Sequence, residues 1–157
     1  AVMKARPDVM AAVHTHSPAN LAVSAQKSGL MPVTQQAMRF YNRIAYYANE
    51  VDDTTAEGSR QLALALGNKW VMILENHGAL ICGTTLPEAY IFHHFFELAC
   101  RAQIGALAGG TPLIMPSPEV CAERVKKFGR IGQYDATSRD WVASMTLVEK
   151  HYPDYKD

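Results

Sequence analysis

A chain of 157 residues, 48% of them hydrophobic and 19% charged, has the composition of one globular domain that can bury a sizeable core. Fifteen Lys and Arg balance fifteen Asp and Glu, so no net field draws nucleic acid or an anionic membrane. No apolar run reaches the roughly 18 residues that a spanning helix needs, and no basic segment leads into an apolar one at the start, so a cytoplasmic protein is expected.

The chain opens on Ala1 rather than Met, and we expect further sequence upstream of it. Val9 to Val13 is a short apolar run leading into His14-Thr15-His16, and it reads as a buried strand. Ser17-Pro18 supplies a helix cap followed by proline at the first helical position, so the chain should turn there from strand to helix and run to Gly29. Ile44 to Tyr47 is a second strand. Thr54-Thr55-Ala56-Glu57 is a capping box opening a helix that Gly67 closes. Trp70 to Leu74 and Ala79 to Cys82 are two more strands, and Glu75-Asn76-His77-Gly78 is the tight turn between them.

A second capping box, Thr85-Leu86-Pro87-Glu88, opens a helix to about Leu107. Its apolar residues, Tyr90, Phe92, Phe95, Phe96 and Ala99 among them, cover most of its circumference, so it should be buried on more than one side, against a sheet and against another subunit. Ser117-Pro118 caps a short helix to about Phe128, and a final helix spans about Asp140 to His151. Arg124, Lys126, Lys127 and Arg130 read as a solvated helix face. Cys82, Cys100 and Cys121 are too widely spaced for a disulfide framework or a CxxC motif and read as buried reduced thiols. The alternation of strands and helices indicates a layered α/β/α domain around a central mixed or antiparallel sheet, with no linker dividing residues 1–157.

Chemistry concentrates on histidine. His14 and His16, at i and i+2 of an extended segment, project to the same side about 7 Å apart and can chelate one ion. His77 sits in a rigid, glycine-flanked turn at another strand end and supplies the third imidazole. Three neutral imidazoles leave the full charge on a dication and leave coordination positions open, as in catalytic metal sites. An HxH pair also occurs simply as two solvated or hydrogen-bonded histidines. His93 and His94 lie in mid-helix and read as packing or surface residues, and His151 as an exposed one.

The stretches RPDVMAAVHTHSPANLAVSA (6–25) and ILENHGALICGTTLPEAYIFHHFFELACRAQ (73–103) resemble the two signature regions of the class II aldolase/adducin family. The resemblance implies that His14, His16 and His77 bind a catalytic divalent metal, zinc first, with manganese, iron or cobalt as alternatives. It implies a carbon-carbon lyase, aldolase or decarboxylase, that stabilises an enolate or enediolate from a small carbonyl or hydroxy substrate, in a homotetramer. A sugar-phosphate epimerase and a non-catalytic assembly protein like the adducin head domain are the alternatives within the same family. Gly29-Leu30, Gln35-Gln36 and the ACxxQ segment ending at Gln103 are similar to its adducin-related bacterial branch. Family aldolases carry their acidic acid/base residue upstream of HxH, so we expect it before Ala1. Glu75 is the one candidate within the chain, and a structural role suits it better. Tyr41, Tyr46 and Tyr47 read as core or interface packing.

Overall fold

Four strands form one mixed sheet in the order β1-β4-β3-β2: β1 (Ala11–Thr15), β2 (Ile44–Tyr47), β3 (Val71–Leu74) and β4 (Gly78–Gly83). The computed structural model describes residues 2–48 and 55–157. β4 runs antiparallel to both β1 and β3, while β2 and β3 are parallel. The carboxyl ends of β1, β2 and β3 therefore share one edge of the sheet with the start of β4. The tight turn from β3 to β4 belongs to that edge too.

Strand alternation sorts the apolar side chains into two layers. Val71, Ile73, Ala79 and Ile81 join Ala19, Val23, Phe92, Phe96 and Cys100 in one core cluster. Met72, Leu74, Leu80 and Cys82 join Val2, Val9, Ala45 and Leu66 in the other. The first cluster brings α2 (Pro18–Ser24) and α5 (Leu86–Ala108) against one face. The second brings α1 (Val2–Ala5) and α4 (Ala56–Leu66) against the opposite face. This is the α/β/α layering expected from the sequence, and the sheet is the mixed variant. All three cysteines are buried and reduced.

Helix starts follow their caps. Thr55 accepts from Gly58 N at 3.0 Å, Thr85 from Glu88 N at 3.1 Å and Ser117 from Val120 N at 3.4 Å. Thr54, the first residue of the expected box, lies outside the described residues. α6 (Pro118–Phe128) and α7 (Arg139–His151) complete the chain with a 3-10 turn over Pro153–Lys156. None of the residues of α7 is buried, and Trp141 meets Tyr90 of α5 edge-on at 5.6 Å.

Two expectations change, and two short helices were not foreseen. α2 stops at Ser24 rather than running to Gly29, because the buried Gln103 of α5 grips the chain beyond it. Its amide donates to Gln26 Oε1 at 2.7 Å and to Gly29 O at 2.8 Å, and its carbonyl accepts from Met31 N at 2.7 Å. The short helices α1 and α3 (Gln35–Met38) span four residues each, too few to show a period. Arg124, Lys126 and Lys127 are exposed on α6, but Arg130 falls beyond its end and borders a cavity.

Candidate metal centre

Side chains at i and i+2 share a face, so His14 and His16 flank Thr15, which points the other way. Register fixes which way. His14 lies opposite Leu80 of the second core cluster, and Thr15 opposite Ala79 of the first. Thr15 therefore faces α2 and α5. Its hydroxyl accepts from Asn20 Nδ2 at 2.8 Å and shares a hydrogen bond with His93 Nε2, also at 2.8 Å. Burial, the largest influence, pushes the His93 pKa down from its ordinary value. The next residue along, Ser17, donates to the buried Glu97 of α5 at 2.5 Å. The HxH segment is thus bolted to α5 through the residues that do not face the site.

The third histidine arrives on the β3–β4 turn. Asn76 takes the left-handed conformation (φ 56°), which Asn tolerates better than most residues, and His77 N closes the turn on Leu74 O at 3.0 Å. Gly78 follows at φ 142°. A Cβ there would collide with the Thr15 carbonyl oxygen and press to 3.1 Å on the His16 ring, so glycine is what lets the turn close on the HxH segment.

The three rings converge. Centroids lie 4.7 Å (His14–His16), 5.2 Å (His14–His77) and 4.8 Å (His16–His77) apart, and one ligand nitrogen from each lies within 4.8 Å of the others. His14 Nδ1 lies 3.0 Å from Ala79 O. A carbonyl only accepts, so Nδ1 carries the proton and Nε2 presents its lone pair to the cluster. His16 Nε2 stands 2.9 Å from that nitrogen. Two lone pairs at that distance repel unless a proton or a cation lies between them. The donor set thus fits a divalent ion: three imidazole nitrogens, one with its tautomer set by a backbone acceptor, on side chains that are exposed or half-buried and so open to a further ligand.

The other sequence candidates fall elsewhere. Glu75 is exposed, is not part of the histidine cluster, and borders a cavity with Gln26 to Gly29 and Tyr46. His94 and His151 are exposed. Tyr46 is exposed rather than in the core, with its hydroxyl accepting from Leu30 N at 3.2 Å. Sequence reasoning missed the Thr15–Asn20–His93 support, whose bonded residues lie as much as 78 positions apart.

Comparison with known proteins agrees with this architecture. The profile of the Class II Aldolase and Adducin N-terminal domain family matches residues 1–104. An aldolase II superfamily protein from Pseudomonas syringae superposes with a TM-score of 0.91 at 37% identity, over 99% of this chain and 62% of that one. L-fuculose 1-phosphate aldolase from Glaciozyma antarctica gives 0.81 at 30% identity, over 96% of this chain and 57% of that one. Human gamma-adducin is 39% identical over 112 residues, 69% of this chain and 15% of that protein. The chain spans 61% of the length of the curated relatives it matches over nearly its whole extent. Among the described residues no helix is long and apolar enough to cross a membrane.

Proposed function

Because the chain belongs to the class II aldolase and adducin family, we propose that it is the metal-binding core of a divalent-metal lyase that cleaves or forms a carbon-carbon bond next to a carbonyl. The observation that carries this reading is the convergence of His14, His16 and His77 at one sheet edge. A dication held there supplies Lewis-acid stabilisation of the negative charge that develops on a substrate oxygen as the bond breaks. Zinc suits three imidazoles best, with manganese, iron or cobalt as alternatives.

The chain's own residues contribute orientation. Ala79 O holds the His14 tautomer, Thr15 is pinned from behind by Asn20 and His93, and Gly78 keeps the gap into which His77 closes. Glu75 borders a different cavity, and we give it no proton-transfer role. The substrate is a small hydroxy-carbonyl compound, and the active form a homotetramer, both by analogy with the family. An adducin-like assembly role is the rival, favoured by the 39% identity to gamma-adducin. Assembly alone would give no reason for three imidazole nitrogens to converge.

Elemental analysis of the purified protein after zinc loading and dialysis tests the reading. About one ion per chain is expected, lost in His77→Ala and retained in His94→Ala. A metal-free wild type would sink it. Aldol and hydroxy-aromatic acid substrates, beginning with the L-fuculose 1-phosphate for which the similar Glaciozyma enzyme is named, then distinguish cleavage from decarboxylation.

A further inference from the structure

A second cavity opens at the opposite edge of the sheet, where β3 begins. It has a volume of about 480 Å³, within the roughly 300–1,000 Å³ of small-molecule sites. Arg39, Arg43, Lys69 and Arg130 line it, with Trp70 and Phe92 among its walls, and among the described residues no Asp or Glu does. The chain as a whole carries equal numbers of acidic and basic residues, so composition does not explain this concentration of one sign.

The four cations lack counter-charges among the described residues. None of them forms an ion pair among the described residues. Their hydrogen bonds go to neutral acceptors. Arg43 donates to Gly129 O, Lys69 to Asn42 O at 2.6 Å, and Arg39 to Phe128 O at 2.9 Å, Gln36 Oε1 at 2.9 Å and Tyr134 Oη at 3.2 Å. Such bonds orient a cation without neutralising it. Arg39 is 8% exposed and stacks 3.8 Å over Phe95, and burial pushes the Arg43 guanidinium below its ordinary pKa. A buried cation with no anion beside it is costly, and a bound anion offsets that cost.

We propose that this cavity binds a small phosphorylated anion. Guanidinium groups and an ammonium arriving from separate segments match the several oxygens of a tetrahedral phosphoryl group, and Arg forks bind such oxygens in pairs. The Trp70 and Phe92 walls suit the carbon portion of an organic phosphate. The cavity wall is built, not a loose surface. Gly129 packs so closely that a Cβ would lie 2.6 Å from Arg39 O, and Glu88 fixes the following residues by accepting from Gly132 N at 2.7 Å. β3 separates the cavity from the histidine cluster, so the site stands independently of the lyase reading.

Calorimetric titration of the protein with inorganic pyrophosphate, at constant ionic strength in sodium chloride, tests this. One saturable site is expected. Arg43→Gln and Arg130→Gln should each weaken it by about tenfold, while His77→Ala leaves it unchanged. Arg130 is exposed and forms no hydrogen bond among the described residues, so its substitution should leave the thermal midpoint unchanged and remains informative even if Arg43→Gln fails to fold. Three results would overturn the proposal: no saturable heat at millimolar pyrophosphate, wild-type affinity in Arg130→Gln, or loss of binding in His77→Ala, which would put the anion at the histidines.

Discussion

Glycine at position 78 carries a geometric demand that no other residue meets. Its φ of 142° and its approach to the Thr15 carbonyl forbid a side chain. Gly78→Ala should destabilise the fold by about 1–3 kcal/mol and weaken metal retention, read by chemical denaturation and by metal content after dialysis. Thr15 offers a subtler test, because Thr15→Val keeps the shape and removes the oxygen that Asn20 and His93 share. Metal affinity should fall by roughly tenfold with the fold intact, measured by competition with a chromogenic chelator, since groups supporting metal ligands typically matter at that level. The two residues also mark how far the site was legible beforehand. The i, i+2 histidines and the glycine-flanked turn announce themselves through local spacing. The support behind Thr15 does not, because His93 becomes its partner only once α5 packs across the sheet.

Glu88 shows how one side chain binds two elements together. It begins as a capping-box glutamate and ends fully buried, its Oε2 accepting from Thr84 N at 2.9 Å and Thr84 Oγ1 at 2.8 Å. Its Oε1 accepts from Gly132 N at 2.7 Å and Gln133 N at 3.2 Å. Every one of these partners donates. Glu88→Gln would turn an amide NH2 towards one pair of donors whichever way it is placed, at a cost of roughly 2–4 kcal/mol. A lowered denaturation midpoint and faster amide exchange at Gly132 and Gln133 would register it. The box was readable in the sequence as a helix start, but its reach to residue 132 was not. α2 makes the same point in reverse: Gly29 looked like its stop, yet Gln103 draws the chain out of the helix from Ala25 onward.

Two buried thiols lie in the two core layers of the molecule. Burial, the largest influence on each, pushes Cys82 up to about 11 and Cys100 up to about 12, from an ordinary 9.0. A group whose pKa is raised on folding contributes stability that is present below the unfolded value and is lost as pH climbs through the folded one. The thermal midpoint should therefore hold to about pH 9 and then fall towards pH 11 to 12, and Cys100→Ala should flatten that fall. Thiol reagents at pH 8 should react with neither cysteine until the chain unfolds. The sheet that separates those layers also sets when the histidine cluster can exist. His14 and the carbonyl that fixes its tautomer are 65 residues apart, and a one-residue slip of β1 on β4 would turn His14 to the other face. At roughly 5–20 residues per second of synthesis, the HxH segment leaves the ribosome some seconds before its clamp. On the proposed metal-lyase reading, metal capture would be a late event in biogenesis, and the metal content of newly made chains would count those whose strands have paired in register.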